Sequence, residues 1–364
     1  MRKRWKGLLL LLLLLAVAGL GTFGMKEFLL YQLESKGPDQ IKIVENERTL
    51  LALPHYIALA QGFYQEQDLE ITTSKLATSS ENSFVEQSNG AVLLSDLCQG
   101  VFTRPLGTGA DRIAFATVAQ REGTYLISRQ DATNFSWQNV KRKSILGDAP
   151  DSQSNIVLEE ALRQNKLTLQ HQVIIIQNLP SDLKEGAFAA GVGHFVQMPQ
   201  PLAQQTLQRQ TGNLATFLGD AVAPIPSLVF LASGNYLKNN AQACQKLVNG
   251  LCKGMLWLDY HKPEEAAQIV SPYFPELDKE VITIIIQEYK KQGMWAKNPL
   301  TLEKDYENLK TYVSHSGEMT NPVEFKDGVN NTLAKHAAKT VEYIPPELKK
   351  EKTWWEKVKS LDFK

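Results

Sequence analysis

A surplus of basic residues is missing from this sequence, because 39 Lys and Arg are balanced by 39 Asp and Glu over 364 residues. A general nucleic-acid-binding protein needs a basic excess on one face, so the charge balance argues against that class. Cysteine is also scarce, with Cys98, Cys244 and Cys252 as the three present. An odd count without a Cys-x-x-Cys pair gives no disulfide framework, and we expect these side chains to be small buried hydrophobic groups.

Recognisable catalytic motifs are missing as well. The six histidines never fall at the i, i+4 spacing of a helical zinc site. Gly107-Thr-Gly109 and Gly191-Val-Gly193 are fragments of glycine patterns without the spacing of a phosphate-binding loop. We therefore predict a protein that is not an enzyme, with no metal and no cofactor.

The N-terminus has the pattern of an export signal. Four basic residues precede an uncharged apolar run from Gly7 to Met25, which makes residues 1–30 a signal or membrane-anchor segment. Ala16 and Ala18 offer signal peptidase a site after Ala18, while 19 residues are enough for a retained transmembrane helix. Both fates stay open. In either case the positive-inside rule places the body outside the cytoplasm, in the periplasm or at the outer face of the cell membrane.

The body alternates between short apolar runs and amphipathic stretches. Thr49–Leu53 and Leu69–Thr73 read as strands on either side of a helix over Pro54–Gln65, and this rhythm continues to Phe217. The pattern predicts an α/β fold with mostly parallel sheets covered by helices. Beyond Pro226 the pattern is almost entirely helical, including a helix over Val323–Ala338. Residues 341–364 form a polar tail, read as a solvated amphipathic helix or a docking element.

Several short motifs occur in an order that resembles a known family. Gly62-Phe63-Tyr64 leads into Leu69-Glu70-Ile71, Asp151-Ser152-Gln153-Ser154 opens a helix, and residues 193–201 form a strand that ends in Gln200-Pro201. Over residues 44–338 the sequence resembles the substrate-binding proteins of ABC importers for nitrate, sulfonates, taurine and the pyrimidine precursors of thiamine. The resemblance implies the two-lobed periplasmic-binding-protein fold of type II.

The resemblance also implies a division into lobes and a function. Lobe one would comprise residues 40–122 plus 227–340, and lobe two residues 123–226, with crossings near Gln120–Gly123 and Val222–Pro226. A small solute, such as a sulfonate, taurine, nitrate, bicarbonate or a pyrimidine, would be captured between the lobes and delivered to a permease and its ATPase. The alternative is an extracytoplasmic ligand-sensing module that uses the same cleft. A pyrimidine-processing enzyme is a weaker third reading, since the cysteine-rich motif of the eukaryotic thiamine-pyrimidine synthases has no counterpart here.

Candidate ligand-binding residues follow from position, since they stand at strand ends, before helices and at the first crossing. They are His55, Tyr56, Ser95, Gln120, Arg121, Ser152, Gln153, Ser154 and Gln200. Several have a structural alternative: the serines, with Ser79 and Ser80, could cap helices, Arg121 could form a surface salt bridge, and Tyr56 could pack inward while His55 is exposed. The loop Asp151–Ser154 is the strongest candidate, because polar side chains and free N–H groups meet there at the start of a helix.

Overall fold

The computed structural model describes residues 37–76, 90–102, 112–177, 179–318 and 323–348. The predicted leader, Ser79, Ser80 and residues 349–364 of the predicted tail lie outside the described residues. By its contacts the chain separates into residues 1–39 and residues 40–364, and the architecture below is essentially that of the second unit. Among the described residues, no helix is both long and apolar enough to cross a membrane.

In the described residues, ten strands form two five-stranded sheets. The strands are β1 (Asp39–Glu45), β2 (Leu69–Lys75), β3 (Val92–Ser95), β4 (Arg112–Ala119), β5 (Thr124–Ser128), β6 (Lys143–Leu146), β7 (Val173–Ile176), β8 (Phe195–Pro199), β9 (Asn213–Phe217) and β10 (Leu228–Ser233). The first sheet has the order β2-β1-β3-β10-β4, and the second has the order β7-β6-β8-β5-β9.

Both sheets are mixed, whereas the sequence pattern predicted mostly parallel ones. In the first sheet β1 and β3 are parallel, while β10 runs antiparallel to both of its neighbours. In the second sheet β6 is parallel to β7 and β8, while β5 is antiparallel to β8 and β9. The antiparallel strands β5 and β10 directly follow the two predicted crossings. The predicted lobe boundaries themselves stay a prediction.

The first predicted strand is wrong. Residues 50–52 form a 3₁₀ helix whose Thr49 side chain accepts a hydrogen bond from the Leu51 N–H at 3.2 Å. The strand of this βαβ unit is instead β1, in which the exposed Gln40 and Lys42 alternate with the buried Ile41 and Ile43. A short apolar run does not distinguish a buried strand from a buried helical turn, and here the threonine cap favours the turn.

Helices cover the sheets and dominate the C-terminal third. They are α1 (Leu53–Ala60), α2 (Gln153–Gln164), α3 (Lys184–Ala189), α4 (Leu202–Gln208), α5 (Leu218–Ala221), α6 (Gly234–Asn239), α7 (Ala241–Tyr260), α8 (Pro263–Val270), α9 (Lys279–Lys291), α10 (Glu303–Ser316), α11 (Phe325–Gly328) and α12 (Thr332–Thr340). A short π-helix spans Cys98–Phe102.

The single helix predicted over residues 323–338 is two helices. Between α11 and α12 the chain leaves the helical path to pair with the first sheet, where Val329 forms a bridge to Ala114 and the Asn330 N–H donates to the Ala114 carbonyl at 2.8 Å. Gly328 permits this approach, because a Cβ there would lie 2.4 Å from the Tyr306 hydroxyl. The three cysteines are buried and free, as the sequence predicted.

Candidate functional site

The loop between β6 and α2 is closed by its own hydrogen bonds. The Ser152 hydroxyl accepts from the Asn155 N–H at 3.2 Å and donates to the Ala149 carbonyl at 2.7 Å. The Ser154 hydroxyl donates to Asp148 Oδ2 at 2.8 Å. Ser152 therefore acts as the helix cap of the structural alternative, and contact of either hydroxyl with a ligand stays a prediction.

Two buried glutamines tie this loop to its surroundings. Gln153 Nε2 donates to the Ser227 carbonyl at 3.0 Å, and Gln197 Nε2 donates to Thr124 Oγ1 at 3.0 Å and to the Ser154 carbonyl at 2.8 Å. A carbonyl can only accept, so each contact fixes which end of the amide is nitrogen. The opposite atoms, Gln153 Oε1 and Gln197 Oε1, are buried without a hydrogen-bond partner among the described residues.

Four carboxylates gather at the ends of strands from both sheets. Asp96 follows β3, Glu122 lies between β4 and β5, and Asp148 and Asp151 follow β6; we call these four residues the acidic cluster. Hydrogen bonds lead from Asp148 through Ser154 and Gln197 to Thr124, which bonds to Glu122. The charge of Asp151 raises the pKa of Asp96, and the charges of Asp148 and Asp96 raise that of Glu122. Ser95 borders the cluster, with a buried hydroxyl that has no partner in the described part of the chain.

Burial is the largest cause of the pKa shifts in this cluster. Desolvation raises the pKa of Glu122 to about 7 and that of Asp96 to about 6. Hydrogen bonds from Thr124 to Glu122, and from backbone N–H groups to Asp96, offset only part of this effect. Both carboxyl groups therefore titrate close to neutral pH instead of remaining fully ionised.

One ammonium group is bonded to the acidic cluster within the described ranges. Lys184 is 2 % exposed, and its Nζ forms an ion pair with Asp148 Oδ1 and donates to the Gln197 carbonyl at 3.1 Å. Because this ammonium is already engaged by a carboxylate and a carbonyl, it neutralises Asp148 and leaves the other three acids without an ionic partner among the contacts described.

His55 and Tyr56 lie within α1 and not between a strand and a helix. His55 is buried, so the alternative reading in which it is exposed is wrong. Its Nδ1 is 2.7 Å from the Tyr64 hydroxyl, and burial lowers its pKa to about 3. Tyr56 packs inward and donates to Glu45 Oε2 at 2.5 Å. These partners do not belong to the acidic cluster.

The remaining predicted residues also have partners within the protein. Gln120 Nε2 donates to the Gly293 carbonyl at 3.1 Å. Arg121 forms the salt bridge of the alternative reading, with its Nη1 at 3.3 Å from Asp220 Oδ1. Gln200 is buried, and its Oε1 accepts from a backbone N–H of α4 at 3.0 Å. The structure thus brings Ser95, Gln153 and Ser154 to the acidic cluster, and turns the Arg121 side chain toward Asp220.

Sequence reasoning missed most of the charged groups of this site. Asp96 and Asp148 directly follow, or nearly follow, buried strands, and that position is a signal that could have identified them. Glu122 lies in the first predicted crossing, Lys184 begins the short helix α3, and Gln197 lies in the middle of β8. No local pattern marks these three, since only the tertiary structure brings them to Asp148 and Thr124.

Two other findings bear on chemistry. A cavity of about 360 Å³ lies where β5 ends and β8 begins, lined among others by Arg129, Lys143 and His194; none of the predicted site residues lines it. In the described part of the chain, no group of three or more His, Cys, Asp or Glu side chains is arranged to hold a metal ion.

Known proteins share this architecture. The chain is 27% identical over 296 residues to YtlA of Bacillus subtilis (strain 168), whose name proposes a binding protein, and the match covers 81% of this chain and 89% of YtlA. Among solved structures, the ligand-binding component of an ABC-type import system from Staphylococcus aureus superposes with a TM-score of 0.63 at 15% identity, covering 83% of this chain and all of that one. The alkanesulfonate-binding protein SsuA from Xanthomonas axonopodis, bound to MOPS, gives 0.62 at 14% identity, with 82% and 100% covered.

The same fold also occurs in an enzyme, since the desulfurization enzyme DSZB superposes with a TM-score of 0.61 at 12% identity, covering 83% of this chain and 99% of that one. These similarities confirm the predicted two-lobed fold of the type II periplasmic binding proteins. The family model described as NMT1/THI5 like matches residues 52–266, which is more than half of the sequence. The chain therefore belongs to the NMT1/THI5-like family.

Proposed function

We propose that this protein is the extracytoplasmic solute-binding component of an ABC importer, which captures a small solute and delivers it to a permease and its ATPase. Family membership and the names of the structural neighbours support this function. The N-terminal charge and apolar run support export, with the leader either cleaved after Ala18 or kept as a membrane anchor.

The observation that carries the proposal is the meeting of strand ends from both sheets. Asp96 and Ser95 come from the first sheet, Asp148 from the second, and Glu122 from the chain between them. Ligands of open α/β sheets bind at the carboxyl ends of strands. Buried polar atoms without partners, which are rare in native proteins, lie at the same place. A bound solute would supply the missing hydrogen bonds.

Hydrogen bonds at the two predicted crossings support a hinge between the lobes. The Ile225 N–H donates to the Gln120 carbonyl at 3.2 Å, and the Gln120 N–H donates to the Met294 carbonyl at 2.9 Å. The Tyr289 hydroxyl donates to the Gly123 carbonyl at 3.1 Å. We propose that the lobes rotate about these segments, so that closure around a solute creates the surface that a permease recognises.

The cysteines argue against an enzymatic role. Burial raises the pKa of Cys98 well above its ordinary value, and the carboxylates of Asp96, Glu122 and Asp151 raise it further. Burial also raises the pKa of Cys244 to about 12 and that of Cys252 to about 11. A thiol acts as a nucleophile through its thiolate, so none of the three is activated for catalysis.

A thermal-shift screen of the purified protein tests solute binding directly. The panel comprises sulfonates, taurine, nitrate, bicarbonate and aminopyrimidines at millimolar concentration. A solute present at one hundred times its Kd should stabilise the protein by about 2.7 kcal/mol, which raises Tm by several degrees. If none of these solutes, and no small organic amine or amidine added to the panel, raises Tm, the proposed function is contradicted.

Measurements of solute uptake by cells distinguish a role in import from a role in ligand sensing. Cells that lack this protein should lose accumulation of the radiolabelled form of the solute that raises Tm, and a plasmid copy should restore it. Undiminished accumulation in the deletion strain would favour the ligand-sensing module instead.

A further inference from the structure

Resting on the proposed function, we infer that the solute is a small organic cation that the acidic cluster binds through the solute's N–H groups, and not an anion such as a sulfonate or nitrate. Three features of the site favour a cation: the hydrogen-bonding sense of the buried amides, the balance of charge, and the distribution of the carboxylates over several strand ends.

The buried amides present acceptors. The nitrogen ends of Gln153 and Gln197 are occupied by carbonyl oxygens at 3.0 and 2.8 Å, and among the described residues neither buried amide oxygen has a donor. Gln197 lies between two acids of the cluster: its Nε2 contacts Thr124, which hydrogen-bonds Glu122, and Ser154, which hydrogen-bonds Asp148.

Gln153 joins the cluster from the other side. It follows Asp151 by two residues, and its amide reaches Ser227. Two residues after Ser227, Val229 pairs with Ser95 in the first sheet, so Ser227 runs alongside the segment that contains Asp96. A solute that reaches these amide oxygens must supply them with a donor. A sulfonate or a nitrate has only acceptor oxygens and would leave these atoms unsatisfied.

The charge balance has the same consequence. Four carboxylates face one ammonium group in the described part of the site, and that ammonium, on Lys184, is already paired with Asp148. Burial and mutual repulsion raise the pKa of Glu122 to about 7 and of Asp96 to about 6. An anion would add to this repulsion, whereas a cation would relieve it.

The spacing of the carboxylates excludes the simplest cation. A metal ion needs several oxygen ligands within about 2.6 Å, and the described residues contain no group arranged in that way. Carboxylates spread over strand ends of two sheets, with amide oxygens between them, suit a solute whose N–H donors are separated by its own carbon framework. A protonated amine or an amidine has this chemistry.

Isothermal titration of the full-length protein at pH 7.5 compares two sets of probes at millimolar concentration. The cations are agmatine, benzamidine and an aminomethylpyrimidine, and the anions are ethanesulfonate, benzenesulfonate and nitrate. We expect at least one cation to bind and no anion to bind. Glu122→Gln and, as a second variant, Asp96→Asn should each weaken the binding of that cation by at least about tenfold, because each removes a charge-assisted hydrogen bond.

Glu276→Gln is the matched control, since Glu276 is an exposed carboxylate outside the cluster, and its affinity for the cation should not change. An anion that binds the wild type, and binds Glu122→Gln more tightly, would overturn the inference while leaving the proposed function intact. Absence of binding by all six probes would overturn the inference and, together with a negative thermal-shift screen, would contradict the proposed function as well.

Discussion

At the scale of single residues, the candidate site is defined by two carboxyl groups, those of Glu122 and Asp96, whose pKa values burial raises to about 7 and about 6. Glu122 is 5 % exposed, and its pKa is raised first by burial and then by the charges of Asp148 and Asp96. A carboxyl group whose pKa is higher in the folded than in the unfolded protein stabilises the fold fully only below the unfolded pKa, and this contribution disappears as the pH rises through the folded pKa. The contribution of Glu122 to the free energy of unfolding of the ligand-free protein is therefore smaller at pH 8 than at pH 5.

This behaviour predicts a pH-dependent effect of Glu122→Gln. Relative to the wild type, the variant should gain about 2 kcal/mol of unfolding free energy between pH 5 and pH 8, because only the wild type must ionise a buried carboxyl group. Urea unfolding of both ligand-free proteins at the two pH values measures the difference. His55, whose pKa is lowered to about 3, also contributes to pH dependence but is present in both proteins and cancels.

Glu276→Gln serves as the control for this experiment, and its stability relative to the wild type should stay constant with pH. A constant difference for Glu122→Gln as well would show that Glu122 is ionised normally in the folded protein.

For two candidate residues the structure shows the structural alternative that stood beside ligand binding. Ser152 was expected to cap a helix or bind a ligand, and it caps α2. Arg121 was expected at the cleft or in a salt bridge, and it forms one with Asp220. Its neighbour Glu122 enters the acidic cluster instead. Which of two adjacent side chains faces a cleft depends on the local twist of the backbone, and a single sequence carries no signal for it.

At the scale of elements, the contact between α1 and α7 depends on two glycines. A Cβ at Gly254 would lie 2.2 Å from the Pro54 carbonyl oxygen, and a Cβ at Gly250 would lie 2.4 Å from the Tyr64 ring. The two helices therefore approach closely, and α7 holds α1 against the first sheet. The absence of a side chain, which disfavours glycine in a helix, is here a packing requirement.

Gly254→Ala should destabilise the protein by about 2 kcal/mol, because overpacking of a rigid contact forces the backbone apart. Gly186→Ala is the control, since Gly186 also lies in a helix, α3, but has open space around its Cα. There alanine should be neutral or stabilise by up to about 1 kcal/mol through its higher helix propensity. Urea midpoints measure both effects, and a loss for Gly254→Ala no larger than that of the control would contradict close packing.

The long helices follow the sequence pattern, whereas two short segments do not. Helices α7, α8 and α9 lie beyond Pro226, in the region that the sequence pattern predicts to be almost entirely helical. The turn at residues 50–52 was read as a strand, and the interruption at Val329 was missed. A long amphipathic pattern determines a helix largely by itself. A run of three to five apolar residues takes the conformation that its tertiary contacts allow.

At the scale of the whole molecule, α10 connects the C-terminal helices to the second sheet. It packs against α2, where His315 Nδ1 is 2.9 Å from Glu160 Oε2 and Arg163 donates to the His315 carbonyl at 3.1 Å. The buried Tyr312 hydroxyl accepts from the Ala223 N–H at 3.2 Å, next to the second crossing. These contacts make the unfolding of one sheet depend on the other.

We therefore predict a single unfolding transition. Pulse-labelling hydrogen exchange at increasing urea concentration should give the same midpoint for peptides of β8 and of β10. Tyr312→Phe should reduce the free energy of unfolding by about 1 kcal/mol, because the Ala223 N–H loses its acceptor. Both urea midpoints should therefore fall equally. Tyr260→Phe, at an exposed tyrosine, should leave both unchanged. Separate midpoints for the two sheets would show that they unfold independently.

The sequence by itself determined the α/β class, the order of the long elements, the free buried cysteines and the resemblance to the importer binding proteins. Each of these depends on composition, periodicity or the order of motifs along the chain. Only the tertiary structure decided that the sheets are mixed, that Arg121 turns away from the site and that Asp96, Glu122, Asp148 and Asp151 meet. These features depend on contacts between residues far apart in sequence, and the desolvation that raises the pKa of Glu122 exists only once the chain has folded around it.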